Sequence, residues 1–194
     1  AAWLDDPDLL RPRSGLALQE EARAIQTRHD TVDEAMRAVR ALRRRELLRT
    51  AMAAIVGTLT IEELADALTT ITEVTIQATL RAVRRDVLEP EDAALDFSVI
   101  AMGRFGGAEL GFGSDADVMY VYRANGLDPE RAARKALQLV GALRQYSEDH
   151  RAPLDLDAGL RPEGRNGPLA RSLDAFEEYY RRWSLSWEAQ ALLR

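Results

Sequence analysis

The 194-residue chain contains no cysteine and only two histidines. Without cysteine it forms no disulfide, no thiolate nucleophile and no zinc site with cysteine ligands. It also has no apolar run near the roughly 20 residues that a membrane helix needs. Its net charge of -6 argues against nonspecific binding to nucleic acid, which requires clustered cations. These absences predict a protein that neither binds nucleic acid nor spans a membrane.

The composition is typical of a folded globular protein. Hydrophobic residues make up 46% of the chain and charged residues 30%. Residues 1–8 are acidic and lack the basic head and apolar middle of a secretion signal. We therefore expect a cytoplasmic protein with one or two domains and a hydrophobic core.

The first part of the chain shows helical patterns only. Thr31 and Thr60 are each followed three residues later by a glutamate, which is the capping-box pattern of a helix start. Gly57 marks the end of the helix between them, and another helix is predicted over residues 61–87. Apolar residues recur at helical spacing, and the predicted core positions are Ala35, Met36, Val39, Leu42, Leu47, Leu48, Ala51, Met52, Ile55, Leu64, Ala67, Leu68, Ile71, Val74, Thr75, Ala78 and Val83. We predict a helical region over residues 1–90.

From about residue 91 onward, β-prone apolar segments alternate with helical ones. The pattern predicts strands over residues 97–102, 116–122 and 153–158, and helices over 129–149 and 172–193. The helix at 129 begins with Asp128 as its cap and Pro129 in its first position. Residues predicted to form the packing face of the last helix are Tyr179, Tyr180, Trp183 and Trp187. This order predicts an α+β protein with a small mixed sheet and flanking helices, preceded by the helical region.

Residues 106–122 carry the strongest chemical signal, with the sequence GGAELGFGSDADVMYVY. Asp115 and Asp117 stand at the start of an apolar strand, where side chains two residues apart point the same way. Two carboxylates held close together repel each other unless a cation lies between them. A hard, oxygen-preferring ion such as Mg²⁺ suits that position. Taken by itself, the pair is also compatible with a solvated strand start.

A glycine-rich turn precedes these aspartates. We expect Gly106, Gly107 and Gly113 to adopt positive φ and to let the backbone approach a ligand closely. Successive N–H groups in such turns form anion-binding concavities. Phosphate held by the turn, beside a metal held by aspartates, suits transfer chemistry at phosphorus. The glycine spacing excludes a Walker loop and a dinucleotide-binding fingerprint, and a kinase loop would need a partner lysine and a catalytic loop that are missing.

Three segments resemble the signature of glutamine synthetase adenylyltransferases, which belong to the nucleotidyltransferase superfamily of DNA polymerase beta. They are VIAMGRFGGAELGFGSDADV at residues 99–118, LDAGLRPEGRNGPL at 156–169 and WEAQALLR at 187–194. The order and spacing of all three match the family. The resemblance extends more weakly into the helical part, including RRRELLR at 43–49. It implies a polymerase-beta-like fold with residues 91–194 as the nucleotidyltransferase domain.

The resemblance implies Mg²⁺-dependent transfer of AMP from ATP to a tyrosine of glutamine synthetase, a reaction that regulates nitrogen assimilation. Family members carry one half that attaches AMP and another that removes it. The first two segments resemble the C-terminal, adenylylating half of an actinobacterial member, so we expect a fragment of a longer, multifunctional enzyme. Glutamine synthetase is the implied partner, with a nitrogen-signalling regulatory protein bound through regions outside this chain. Phosphorolytic removal of AMP and a catalytically silent scaffold domain are the alternatives.

The resemblance also implies the site residues. The catalytic residues, which would hold two Mg²⁺ ions, are Asp115, Asp117 and Asp157. The nucleotide-binding residues are Gly106, Gly107, Ser114 and Arg161. The sequence departs from the commoner family pattern at Gly159, where many members have arginine.

Several residues keep more than one interpretation. Asp155 lies two residues before Asp157 and could face the same way. Arg161 has forked donors that match phosphate oxygens, but it could equally hold its own loop or form a surface ion pair. Ser114 could cap the turn rather than bind phosphate. The arginines at 43–45 are interpreted as a solvated helix face, with the nucleotide or the protein substrate as the alternative contact.

Overall fold

The computed structural model describes residues 10–192. Its helices are α1 (Gly15–Arg28), α2 (Val32–Val56), α3 (Ile61–Val87), α4 (Gly103–Gly106), α5 (Pro129–Ser147), α6 (Leu173–Arg182) and α7 (Ser186–Ala191), with 3₁₀ turns at Pro90–Asp92 and Gly164–Asn166. Its strands are β1 (Asp96–Ala101), β2 (Ala116–Arg123), β3 (Leu156–Asp157) and β4 (Ala170–Ser172). The predicted α+β class, with a small mixed sheet that follows helices, is confirmed. None of the helices within residues 10–192 combines the length and the apolar character needed to cross a bilayer.

The described part of the chain divides into two compact units. The first contains the residues up to Ala82 together with Ala108–Ser114 and Tyr146–Leu154. The second contains Val83–Gly107, Asp115–Gln145 and the residues from Asp155 onward. The division into residues 1–90 and 91–194 stays a prediction. The acidic start at residues 1–8, residue 193 of the last predicted helix and residues 193–194 of the third motif lie outside the described residues.

Capping residues explain the ends of the long helices. The Thr31 hydroxyl accepts a hydrogen bond from the Glu34 N–H at the start of α2, and Gly57 ends α2 in the left-handed conformation with φ 78°. At the start of α3, the Glu63 N–H donates to the Thr60 hydroxyl and the Thr60 N–H donates to the Glu63 carboxylate. This reciprocal pair satisfies two backbone donors that a helix start leaves free. The predicted boundaries of both helices are confirmed.

The core of the first unit lies where α1, α2 and α3 meet. Its buried members are Leu18, Ala22, Met36, Val39, Leu42, Ile71, Val74, Ala78 and Ala82. The predicted core positions Leu48 and Ile55 are instead exposed. The second half of α2 buries Glu46 and Thr50 in their place, because Glu46 is paired with the guanidinium groups of Arg45 and Arg49 at 2.9 and 3.2 Å. Pairing compensates the desolvation of a buried carboxylate, so hydropathy alone misplaces this face.

The three consecutive arginines of α2 make contacts within the first unit. Arg43 is only 8% exposed and donates to the backbone oxygens of residues 152 and 153. Arg44 forms an ion pair with Asp149, and Arg45 pairs with Glu21 of α1. The interpretation as a solvated helix face is therefore wrong for Arg43, because the carbonyl oxygens it meets come from a distant segment of the chain.

The second unit contains a four-stranded mixed sheet with β2 at its centre. β1 pairs antiparallel with β2, in a register that runs from Asp96 opposite Arg123 to Ala101 opposite Val118. β3 and β4 pair parallel with β2 on the opposite edge. The middle of β2 is buried at three consecutive residues, Val118 to Tyr120, so both faces of the strand are covered.

Predicted and observed strands differ most on the β3 and β4 edge. The first two strands lie within one residue of their predicted bounds, whereas the predicted strand 153–158 forms a ladder only at Leu156–Asp157. β4 was not predicted, because three residues that include an arginine are too few to show alternation. Pairing with β2, rather than local sequence, makes these segments strands.

The last predicted helix is divided in two. α6 runs from Leu173 to Arg182 and is capped by Ser172, whose hydroxyl accepts from the Ala175 N–H, while α7 starts at Ser186. α5 likewise stops at Ser147, two residues before its predicted end. Trp183 and Trp187, predicted as packing residues, are exposed. Trp183 falls in the break between the helices, and Trp187 lies in α7. Of the predicted packing set, Tyr179 is buried.

Glu188 is a buried residue of α7 that connects several segments at the end of the chain by hydrogen bonds. It is 1% exposed and accepts hydrogen bonds from the Tyr179 hydroxyl at 2.8 Å, the Leu185 N–H at 2.7 Å and the Glu163 N–H at 3.2 Å. Burial alone would raise its pKa, but the hydrogen bonds outweigh that effect and hold the pKa of Glu188 below its usual value. Glu188 therefore joins α6 and α7 to the loop that follows β3.

Candidate metal centre

Two parallel strands bring three carboxylates together in the second unit. Asp117 is the second residue of β2, Asp157 lies opposite it in register on β3, and Asp115 directly precedes β2. One oxygen atom from each carboxylate can be chosen so that all three lie within 4.8 Å of one another. The side chains are partly buried, so they remain open to a small ligand. The sequence-predicted carboxylates thus converge, while their catalytic role stays a prediction.

The Asp157 carboxylate is oriented by the backbone that follows it. The Gly159 N–H donates to Asp157 Oδ1 at 2.8 Å. A Cβ added to Gly159 would lie 3.2 Å from the same oxygen, which is a tight contact. The backbone amide of Gly159 therefore fixes one oxygen of the Asp157 carboxylate.

The electrostatics of the cluster favour a cation. Burial raises the pKa of Asp117 above its usual value, and the neighbouring charges of Asp115 and Asp157 raise it further. Arg104 opposes this rise in the pKa of Asp117, and its guanidinium donates to Asp115 Oδ1 at 3.2 Å. Because Arg104 is more than half exposed, this ion pair is a weak substitute for a cation among the carboxylates.

The donor set suits Mg²⁺. Mg²⁺ takes oxygen ligands at about 2.0–2.1 Å and commonly keeps several water molecules, so three carboxylate oxygens from two strands are sufficient protein ligands. The cluster contains no histidine, and the chain has no cysteine, so the softer ligands that zinc prefers are missing. The residues therefore fit a hard divalent cation.

The glycine turn differs from its prediction. Residues 103–106 form the single helical turn α4, in which the Gly106 N–H donates to the Met102 oxygen at 2.8 Å and the Gly107 N–H donates to the Gly103 oxygen at 3.0 Å. Gly107 has φ -83°, and the positive-φ glycines of this stretch are Gly103 and Gly113. Positive φ is thus wrong for Gly106 and Gly107 and confirmed for Gly113. The two amides are used within the turn, so their role in nucleotide binding stays a prediction.

Two other predicted nucleotide contacts make hydrogen bonds within their own loops. The Ser114 hydroxyl accepts from the Gly111 N–H at 3.1 Å, which caps the turn. The Arg161 guanidinium donates to the backbone oxygens of Ala158, Arg165 and Gly167 at 2.7, 3.0 and 3.1 Å. In this conformation Arg161 holds the loop that follows Asp157, and its contact with nucleotide stays a prediction.

Asp155 does not join the three carboxylates. Its side chain is exposed, while its backbone oxygen accepts from the Ala116 N–H at 2.9 Å. Residue 155 precedes β3, so the alternation that would place Asp155 and Asp157 on one face does not extend to it.

Sequence reasoning missed two residues of the site. Gly103 and Arg104 lie within the segment that resembles the family, but neither was assigned a role. In the structure, Gly103 lies against the Asp117 carboxylate and Arg104 against Asp115. A glycine directly after a strand, beside a cation and close to two aspartates, was the available signal.

Comparison with known proteins shows where the chain belongs. The profile of the family described as "Glutamate-ammonia ligase adenylyltransferase" matches residues 2–194. Proteins named "Bifunctional glutamine synthetase adenylyltransferase/adenylyl-removing enzyme" match from Leifsonia xyli subsp. xyli (52% identical over 193 residues, 100% of this chain and 19% of the relative) and from Mycobacterium leprae (48% over 182 residues, 89% and 18%). The Streptomyces coelicolor protein of the same name is 44% identical over 205 residues, with 95% and 20% covered. The chain therefore spans about a fifth of the length of these relatives.

Proposed function

The chain belongs to the glutamate-ammonia ligase adenylyltransferase family, and on that premise we propose that it transfers AMP from ATP to a tyrosine hydroxyl of glutamine synthetase in a Mg²⁺-dependent reaction. The observation that carries the proposal is the convergence of Asp115, Asp117 and Asp157 within 4.8 Å. The names of the relatives supply the reaction and the protein substrate. The reaction serves nitrogen metabolism in the cytoplasm, and a nitrogen-signalling protein acts on regions outside this chain.

The three carboxylates would hold two Mg²⁺ ions. Bound Mg²⁺ supplies charge neutralisation for the triphosphate and for the departing pyrophosphate. Asp117 lies in β2 and Asp157 in its parallel neighbour β3, so strand pairing fixes the backbone of these two ligands, while Asp115 directly precedes β2. In this proposal, residues 91–194 form the nucleotidyltransferase domain and residues 1–90 the preceding helical region.

A residue of the chain must accept the proton of the attacking hydroxyl. The hydroxyl oxygen of the acceptor attacks the α-phosphorus, and the bond from that phosphorus to the pyrophosphate oxygen breaks. A tyrosine hydroxyl has an ordinary pKa of about 10, so its proton must be removed at neutral pH. We assign the proton to Oδ2 of Asp157, because Oδ1 of that carboxylate already accepts the Gly159 N–H.

In this proposal the nucleotide contacts are the predicted residues Ser114, Arg161, Gly106 and Gly107. The Ser114 oxygen accepts from Gly111, so its hydroxyl proton is available to donate to a phosphate oxygen. Arg161 supports the site through its loop. Gly106 and Gly107 would contact phosphate only after α4 opens, because both amides are hydrogen-bonded within that turn.

A labelling experiment tests the function. The chain is incubated with Mg²⁺, unmodified glutamine synthetase and ATP labelled at the α-phosphate, and label on the synthetase is counted. Asp115→Asn and Asp117→Asn should each abolish incorporation and leave the circular-dichroism spectrum unchanged, because each removes one charged ligand without changing its shape. Asp155→Asn is the matched control and should remain active, since Asp155 lies outside the cluster.

The same assay separates the alternatives. Phosphate attacks the AMP phosphorus of modified glutamine synthetase in the removal reaction and the bond to the tyrosine oxygen breaks, so the product is ADP. Release of ADP on addition of phosphate, with no transfer from ATP, would assign the chain to that reaction. If Asp115→Asn and Asp117→Asn both incorporate label as the wild type does, the assignment of a metal to these carboxylates is contradicted.

A further inference from the structure

We infer that Gly103 is a positioning residue, whose missing side chain leaves the space that the Asp117 carboxylate occupies in the metal centre. This role rests on the proposed function, because it matters to the reaction only if the carboxylates hold the metal. Gly103 acts on the site through Asp117, whose carboxylate it adjoins.

The clearance at Gly103 is too small for any side chain. A Cβ added to Gly103 would lie 2.5 Å from Asp117 Oδ2 and 3.3 Å from Asp117 Cγ. The first of these distances is far shorter than a van der Waals contact between carbon and oxygen. Gly103 also has φ +51°, a left-handed conformation that residues with a Cβ rarely adopt.

The backbone of Asp117 has little freedom to retreat from such a clash. Its carbonyl oxygen accepts from the Met102 N–H at 2.8 Å, which ties it to the residue directly before Gly103. On the other edge of β2, Asp117 pairs in register with Asp157. A methyl group at residue 103 would therefore displace the carboxylate of Asp117 rather than the strand, and the carboxylate would turn away from its two partners.

Other glycines of the chain provide controls. Gly126 has φ +90°, and a Cβ added there would meet nothing within 4 Å. A Gly126→Ala substitution thus places an alanine at positive φ, with strain at least as large as in Gly103→Ala, and causes no clash. Gly159→Ala is the intermediate case, since its Cβ would lie 3.2 Å from Asp157 Oδ1 without positive φ.

The decisive measurement is the affinity for a metal ion. Mn²⁺ takes the same oxygen ligands as Mg²⁺, and free Mn²⁺ is quantified by electron paramagnetic resonance. We expect Gly103→Ala to weaken Mn²⁺ binding by about 10- to 100-fold, the range typical of residues that orient metal ligands. Gly126→Ala should lower the midpoint of thermal unfolding but bind Mn²⁺ as wild type does. Gly159→Ala should fall between the two.

A double variant keeps the inference testable where Gly103→Ala unfolds. In an Asp117→Ala background the clash is gone, so Gly103→Ala should lower the unfolding midpoint no more than Gly126→Ala does. The inference would be overturned if Gly103→Ala lowered the unfolding midpoint equally in the wild-type and Asp117→Ala backgrounds. It would also be overturned if a folded Gly103→Ala bound Mn²⁺ with wild-type affinity.

The proposed function fails by a different result. If the wild-type chain binds no Mn²⁺, or if Asp115→Asn binds it unchanged, the metal centre itself is wrong. The double-variant comparison still reports on the space at Gly103 in that case, because it uses thermal unfolding without metal.

Discussion

Asp92 illustrates how one buried side chain is stabilised by its partners. It lies in the 3₁₀ turn Pro90–Asp92 and is fully buried. Its carboxylate accepts from Arg131 Nε at 2.6 Å and from the Glu89 N–H at 3.1 Å, and it pairs with Lys135 Nζ at 3.2 Å. The Arg131 hydrogen bond lowers the pKa of Asp92 most; burial opposes it, and the Glu89 and Lys135 contacts lower the pKa further. The pKa of Asp92 in the folded protein is thus well below its value in the unfolded chain.

Asp92→Asn should lower the midpoint of thermal unfolding by several degrees at pH 7. Because the folded-state pKa is depressed, the charged carboxylate stabilises the protein above the unfolded-state pKa of about 3.9, and this contribution is lost as the pH falls below that value. The difference between wild type and variant should therefore shrink on acidification. Thermal melts between neutral and acidic pH measure it.

The exposed Asp66 supplies a control for this substitution. Asp66→Asn changes the net charge by the same amount and should alter the unfolding midpoint little. If the difference in unfolding midpoint between the wild type and Asp92→Asn stays constant across the pH range, the depressed pKa of Asp92 is contradicted.

Among the elements, the loop over residues 158–167 shows how one guanidinium can hold several backbone oxygens. Arg161 donates to three backbone oxygens of this loop, and the loop starts directly after the metal-centre residue Asp157. Glu163 and Gly164 both have positive φ within it, at 64° and 55°. A backbone with two left-handed residues needs such internal hydrogen bonds to keep one conformation.

Arg161→Lys should therefore destabilise the loop even without nucleotide. A lysine ammonium carries its donors on one atom and does not span three separated carbonyls. We expect faster amide hydrogen exchange over residues 158–167 and a lower unfolding midpoint. Arg165→Lys makes the same substitution at an exposed position of the same loop and should leave both unchanged. Unaltered exchange together with a raised KM for ATP would favour a direct phosphate contact of Arg161 instead.

Local sequence predicted the elements whose ends are set by local chemistry. The bounds of α3 follow from the capping box at Thr60 and Glu63, and those of β1 and β2 from apolar runs beside glycines. β3, β4 and the break between α6 and α7 depend on pairing with β2 and on the contacts of Glu188, which are distant in sequence. Periodicity carries no information about such partners.

The residues of the candidate site were also predictable only where local sequence defines them. Asp115 and Asp117 follow from their spacing at a strand start, and Asp157 required the family resemblance. The requirement for glycine at residue 103 is a matter of clearance in space, which appears only when β2 is paired and the Asp117 carboxylate is placed. The α4 turn likewise uses the Gly106 and Gly107 amides in a way that the glycine pattern did not indicate.

At the scale of the whole molecule, the three clustered carboxylates should make folding stability depend on a bound ligand. All three carboxylates belong to the second unit. Burial raises the pKa of Asp117, and repulsion from Asp115 and Asp157 raises it further, so the charged cluster destabilises the metal-free folded protein. A ligand that binds only the folded state offsets this by mass action. Residues that perform chemistry are commonly held at such a cost in stability.

Mg²⁺ and ATP together should therefore raise the midpoint of thermal unfolding. A ligand at 100 times its Kd stabilises the folded state by about 2.7 kcal/mol, which for a chain of this length corresponds to roughly 5–10 °C. If heating shows two transitions, the shift should occur in the one that belongs to the second unit. Asp117→Asn should abolish the shift and, because it removes one repelling charge, should unfold at the same or a higher temperature than the ligand-free wild type. ATP with a chelator is the control, and a wild-type midpoint that Mg²⁺ and ATP leave unchanged would favour a silent scaffold domain.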